Sequence, residues 1–380
     1  MNDLFDRLSD QLSQRWKVRN VTRAGRSFRC RCERSIFFRN SFCIGCQSPL
    51  GYVPELGELK SLTPGSAPDT WRVEGSDVDY RQCANLHTPA GCNWLVAATD
   101  TSTLCISCRL TRTIPDLSDP DNARYWLALE TAKRRLVSQL LSLRLPVRSK
   151  VGEDPDCGLM FDFLRSPPGG QRVLTGHDEG LITLNAEEAD DAKREQMRHR
   201  LHEPYRTLLG HFRHEVGHYY WDRLVRDTGW LQPYRELFGD ERVDYTAALK
   251  ANYENGPPAD WALRHISSYA STHPWEDWAE TWAHYLHIVD SLETALGYGI
   301  DTYNLETEVE PFSREDLYAP DDPGAPQALA MINSWLELTT VLNELVRSMG
   351  QPDFYPFVLS RPVVRKLHFV HLVARSAGQA

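Results

Sequence analysis

Apolar residues recur at helical spacing in five long stretches of this chain. Over 121–143, Tyr125, Trp126, Leu129, Leu136 and Leu140 fall on one side of a helix. A second apolar face, made by Tyr205, Leu208, Leu209, Phe212, Val216, Tyr219 and Tyr220, follows Pro204, a residue suited to a first helical turn. Similar patterns predict helices over 275–289, 327–349 and 354–373, and Leu4, Phe5, Leu8, Leu12 and Trp16 suggest a short amphipathic helix at the start. Two compact apolar runs, 159–164 and 180–185, read as strands. Leu181–Asn185 is either an exposed edge that could pair with an extended peptide or a plain core strand.

Residues 1–115 look different. They are poor in helical periodicity and rich in Cys, Gly and Pro, as a small metal-stapled region would be. Within them, 57–75, with Pro64, Gly65 and Pro68, reads as a linker or long loop. The pattern as a whole predicts an α+β protein in three parts. These are a cysteine-rich region over 1–115, a mainly helical domain with a small sheet over 116–300, and a helical extension over 301–380, where no chemistry is legible after Leu305.

The nine cysteines explain the first part. Cys30-x-Cys32 and Cys43-x-x-Cys46 make one set of four, and Cys83, Cys92, Cys105 and Cys108 make a second. Paired thiolates separated by a loop are how a ribbon wraps a tetrahedral Zn²⁺, so two structural zinc ions are expected. The charged start has no signal-peptide core and no stretch reaches 18 apolar residues, so a cytoplasmic protein without a membrane span is expected, where disulfides are rare. Cys157 is left over as an idle thiol.

The net charge of -10 argues against a protein that coats nucleic acid. The first 50 residues are nevertheless basic, with ten Lys/Arg (Arg7, Arg15, Lys17, Arg19, Arg23, Arg26, Arg29, Arg31, Arg34, Arg39) against four acids (Asp3, Asp6, Asp10, Glu33). A solvated face is the preferred reading of that run, with contact to nucleic acid as the other.

The sharpest chemistry is His214-Glu215-x-x-His218 inside the second helical stretch. Residues four apart share a helical face, so the two imidazoles can hold one Zn²⁺, with Glu215 beside them as a proton acceptor. A third ligand must come from elsewhere. Asp240, Glu241 and Asp244 lie just over twenty residues on, whereas Glu276 and Glu280 lie four apart on a later helix. In the second case one carboxylate could bind metal while the other hydrogen-bonds a ligand histidine.

The second arrangement resembles the catalytic domain of anthrax lethal factor and the bacterial titration-factor peptidases. That resemblance implies Glu276 as ligand, Glu280 as the carboxylate behind a histidine, and Tyr269, seven residues before Glu276, as the oxyanion donor. More broadly the chain resembles the bacterial zinc-binding metallopeptidases with an N-terminal zinc ribbon. The matching segments run in order: Phe-Phe-Arg-Asn from Phe37, Leu-Gly-Tyr from Leu50, Cys-Asn-Trp from Cys92, Ala-Lys-Arg-Arg-Leu from Ala132, Leu-Thr-Gly-His from Leu174, the metal helix, and Trp-Ala-Glu-Thr-Trp-Ala-His-Tyr-Leu from Trp278. It implies a zincin-like fold of gluzincin type, one catalytic zinc and a peptide or protein substrate. Two other readings compete. One is a nucleic-acid-associated ribbon protein, with the protease fold as scaffold or as a crosslink protease. The other is a peptide-binding pseudoenzyme, which the intact Glu215 counts against. His177 reads as a turn residue, and His211, His284 and His287 as pocket or structural histidines rather than ligands.

Overall fold

The computed structural model describes residues 27–167, 169–201, 206–300, 302 and 305–378. The amphipathic start (Leu4 to Trp16), six of the ten basic residues (Arg7 to Arg26), Pro204 and Tyr205 lie outside them.

The fold is α+β. Strands β1 (Phe28–Arg29) and β2 (Ser35–Ile36) form a small antiparallel pair. An antiparallel meander follows: β3 (Leu50–Val53), β4 (Glu58–Pro64), β5 (Trp71–Val73), β6 (Tyr80–Gln82) and β7 (Leu95–Ala97), in that spatial order. The stretch 57–75 is therefore no linker, and that expectation is corrected. It holds β4 and β5, and Gly57 and Gly75 take positive φ (66° and 84°) in the turns that follow β3 and β5. Such conformations suit glycine, which has no Cβ to clash. The strands are short, and Leu59 and Leu62 of β4 enter different apolar clusters, so no regular alternation shows in the sequence.

The second half is built on helix α1 (Pro120–Ser142), which starts where Asp119 accepts from the Asp121 amide and proline fills the first turn. Strands β8 (Thr111–Thr113), β9 (Met160–Leu164), β10 (Gly176–Asp178) and β11 (Leu181–Asn185) make a sheet in the order β10-β11-β9-β8. Here β11 runs parallel to β9 and antiparallel to β10, so it is an interior strand and the edge-strand reading of Leu181–Asn185 is corrected. Its near-continuous burial fits pairing on both sides.

The remaining helices are α2 (Asp191–Leu201), α3 (Leu208–Leu224), α4 (Leu231–Phe238), α5 (Tyr245–Asn255), α6 (Pro274–Gly297), α7 (Ala325–Ser348) and α8 (Arg361–Ala377). The sequence pattern marks α1, α3, α6, α7 and α8. The helices α2 and α5 are weakly amphipathic, and α4, though amphipathic, spans only about two turns, so none of the three shows as a periodic stretch. Phe161 and Phe163 of β9 meet Phe212 of α3 at 5.5 and 6.0 Å, and Tyr220 stacks on Trp282 of α6 at 5.0 Å. Each fully buried side chain of this size contributes about 1.5–3 kcal/mol. Among the described residues no helix is long and apolar enough to cross a membrane.

Helices α3 and α6 touch backbone to backbone. A Cβ on Gly217 would lie 3.0 Å from the Ala279 Cα and 3.2 Å from its carbonyl oxygen, and the Trp278 indole donates to the Gly217 carbonyl at 2.8 Å. Glycine permits this approach without strain, and any side chain there would have to push the helices a few tenths of an ångström apart. The contact lies between Glu215 and His218 on one helix and between Glu276 and Glu280 on the other.

Candidate metal centre

Three groups of metal-ligating side chains converge among the described residues: the two cysteine sets, and the histidine pair with Glu276, one of the two candidate positions for a third ligand. Cys30, Cys32, Cys43 and Cys46 cluster at the turns around β1 and β2, with Sγ separations of 3.4 Å (Cys30–Cys46) and 3.7 Å (Cys32–Cys43). Cys83, Cys92, Cys105 and Cys108 make the second group, with Cys92 and Cys105 sulfurs 3.6 Å apart. A tetrahedral zinc with sulfurs at about 2.3 Å spaces them by roughly 3.8 Å, so both sets fit the ion. None of the nine cysteines is in a disulfide. The second set is buried throughout, while Cys32 of the first is exposed. Hydrogen bonds from the Ser48 hydroxyl and amide bring the Cys46 thiol down to about 6, favouring the thiolate a metal needs. Cys157 is a separate, exposed thiol.

The third group is His214, His218 and Glu276. Thr207 starts α3 by accepting from the Gly210 amide at 3.0 Å, and His273 caps α6 by accepting from the Trp275 amide at 3.1 Å. These caps set both helices so that Glu276 Oε2 lies 3.0 Å from His214 Nε2 and 3.5 Å from His218 Nε2. His214 Nδ1 meets Glu280 Oε1 at 2.7 Å, and Glu280 Oε2 accepts from the Ser267 hydroxyl at 2.6 Å. An Nδ1–H donated to Glu280 leaves a lone pair on Nε2, aimed at a carboxylate oxygen. Glu276 is 1 % exposed and its Oε2 has no hydrogen-bond donor. A buried carboxylate oxygen facing two imidazole nitrogens is costly unless a cation joins them, so the donor set fits a metal.

The groups that compete for the third position are elsewhere engaged. Asp240 pairs with Arg242 at 2.8 Å, Glu241 with Arg235 at 2.5 Å, and Asp244 caps α5. Glu215 is buried beside the histidines, and burial pushes its carboxyl up, with His214 and His218 opposing. It opens on a cavity of about 750 Å³ that His211, Tyr245, Tyr253 and Tyr269 also line. The Tyr269 ring lies 5.9 Å from that of His214, and burial, then the charge of Glu276, keeps its phenol protonated.

Sequence reasoning missed Tyr245. Its hydroxyl donates to Glu276 Oε1 at 2.6 Å, fixing the oxygen that does not face the histidines. It follows the Asp240–Asp244 stretch directly, and no spacing singles it out. Trp275, unassigned from sequence, covers His218 with ring centroids 3.8 Å apart. His177 accepts from the Gly180 amide at 2.8 Å across the β10–β11 turn and stacks near His218 at 6.4 Å. His284 meets the Tyr355 hydroxyl at 2.6 Å, and His287 joins a buried cluster with Arg213 and Asp290. His211 lines the cavity, and burial lowers it to about 4, so it is neutral there.

Comparison with known proteins agrees with this picture. A family model described as "Putative zinc-binding metallo-peptidase" matches residues 122–373, and one described as "zinc-ribbon domain" matches 27–119. One relative from Mycobacterium bovis and two from strains of Mycobacterium tuberculosis, each described as an uncharacterized protein, are 43% identical over 351 residues, covering 92% of this chain and 95% of theirs. No solved structure matches. With two cysteine clusters ahead of a helical body whose histidines and glutamate converge, the chain belongs to this family of zinc-binding metallopeptidases.

Proposed function

We propose that the protein is a zinc peptidase of gluzincin type, with one catalytic and two structural zinc ions. The observation that carries this is the convergence of His214, His218 and Glu276 beside Glu215 at the wall of a cavity large enough for a peptide segment. His214, His218 and Glu276 would hold the ion, and Glu280 would fix the His214 ring through its Nδ1. Zinc, when bound, acidifies a water toward neutral pH and polarises a carbonyl. Glu215 takes the proton of the attacking water and passes it to the leaving amine. Tyr269 donates a hydrogen bond to the developing oxyanion from the cavity wall. The substrate is a peptide or protein chain. Nine unpaired cysteines fit a reducing, cytoplasmic setting.

The test is Glu215→Gln. It keeps the zinc content and lowers peptide hydrolysis by roughly 10²- to 10⁴-fold. Unchanged cleavage by that variant refutes the mechanism.

A second reading concerns the first ribbon alone. Phe37, Phe42 and Ile44 are 57%, 51% and 80% exposed among Arg29, Arg31, Arg34 and Arg39, a combination that suits base stacking and phosphate contact. Salt-dependent retardation of single-stranded DNA, lost in Phe37→Ala/Phe42→Ala, supports it; no retardation at low salt removes it.

A further inference from the structure

Helix α5 stands apart from the packed body. None of its 11 residues is buried. Its half-buried positions, Tyr245, Ala248, Leu249 and Asn252, recur at helical spacing, so one face does turn inward. That face meets the cavity rather than the core, for Tyr245, Leu249 and Tyr253 are cavity wall. A helix this short gains little stability by itself and normally depends on a packed apolar face. The caps at its ends are local: Asp244 accepts from the Ala247 amide at 3.0 Å, and Gly256 closes it at φ 75°.

Two polar contacts tie its N-terminal end to the body, and both reach the first turn of α6. His273, whose Nδ1 accepts from the Trp275 amide, donates through Nε2 to the Val243 carbonyl at 3.1 Å. The Tyr245 hydroxyl donates to Glu276 Oε1 at 2.6 Å. The Tyr245 ring also stands edge-on to His273 at 5.3 Å and to Trp275 at 6.0 Å, and Trp275 covers His218. The wall of the cleft is thus hung on the residue that completes the metal centre.

We propose that Tyr245 is a positioning residue that ties the cleft-wall helix α5 to Glu276, so that metal occupancy and order of the substrate-facing wall rise together. The inference rests on the reading of Glu276 as a metal ligand. A hydrogen bond donated to a carboxylate is strong and directional. It holds Oε1 and thereby aims Oε2 at the histidine pair. An ion that localises Glu276 gives Tyr245 a fixed acceptor, and by linkage an ordered α5 favours the bound ion equally.

The test compares zinc-loaded wild type with Tyr245→Phe, Tyr269→Phe and Glu276→Ala. It measures zinc loss to a chelator and amide hydrogen exchange over 245–255. Phenylalanine keeps the ring contacts, so Tyr245→Phe folds, and its Tm without zinc in the histidine site is unchanged. It is expected to hold its histidine-site zinc about 10- to 100-fold more weakly and to exchange faster across α5. Tyr269→Phe, which removes a hydrogen bond to the Tyr245 hydroxyl but leaves the Tyr245–Glu276 bond in place, shifts both less than Tyr245→Phe does. Zinc retention and exchange equal to wild type in Tyr245→Phe overturn the proposal. Faster exchange with unchanged zinc retention overturns it too, because it makes Tyr245 a structural clamp only. Full zinc content in Glu276→Ala refutes the ligand assignment itself, independently of the tyrosine result.

Discussion

The cysteine sites and the histidine centre solve the same problem in opposite ways. Each ribbon site draws four sulfurs from one short segment, 30–46 or 83–108, and closes around them. The histidine centre takes two nitrogens from α3 and one oxygen from a helix 58 residues further on (276 − 218), and it opens on a cavity. Four protein ligands leave a zinc saturated and structural, whereas three leave a position for water or substrate. The closed sites therefore need only local turns. The open one needs a fold, and that fold shows in the glycine contact between α3 and α6 and in the Ser267–Glu280–His214 relay.

The comparison breaks most sharply at the histidines. His214→Ala/His218→Ala is expected to lower zinc by one ion per chain, measured by mass spectrometry, and to abolish hydrolysis, while both cysteine sites stay loaded. Loss of all zinc would mean that the sites are not independent. Next comes Cys83→Ser, in the buried set. A structural zinc contributes of the order of 10 kcal/mol to folding of small ribbons, so removing one ligand should lower Tm by at least ~10 °C, seen by thermal scanning. Cys32→Ser, in the exposed set, should cost much less, a few degrees, because less packing depends on it. Equal losses in the two would erase the distinction between them. Glu280→Gln sharpens the open site: zinc affinity at the histidines falls about 10- to 100-fold in chelator competition, with Tm nearly unchanged. Gly217→Ala has an effect of similar size, spread over stability rather than the metal: it forces α3 off Ala279 and destabilises by about 1–3 kcal/mol in urea unfolding, with only a slight loss of metal affinity.

Much of this was legible because the signals are local. The cysteine spacings and His214-Glu215-x-x-His218 lie within single turns or helices, and α1, α3, α6, α7 and α8 carry broad apolar faces. The place of Glu276 came from resemblance rather than periodicity, and the structure places it against both histidines while Asp240, Glu241 and Asp244 serve local ion pairs and a cap. Misreadings cluster where the deciding partner lies outside the segment itself. β5 looks like loop because it is three residues long, and β4 because Gly57, Pro64 and Gly65 bracket it with turn residues. β11 looked free to be an edge because nothing in its own five residues reveals that β10 covers it. Tyr245 escaped because its acceptor is 31 residues away.

Strand β8 carries a consequence for how the two halves could have come together. It begins three residues after Cys108, the last of the second cysteine set, yet it is the outer strand of the helical half's sheet, lying parallel to β9. Cutting the chain at residue 115 would strip β9 of that neighbour and leave the amides and carbonyls on its β8 side unpaired, beside Phe161 and Phe163, while β11 still holds its other edge. A bare, apolar strand edge invites pairing with other copies and aggregation. Strand β8 is thus the selvedge of the cloth: a helical half made without it is expected to precipitate, and one extended back to include it to remain dispersed.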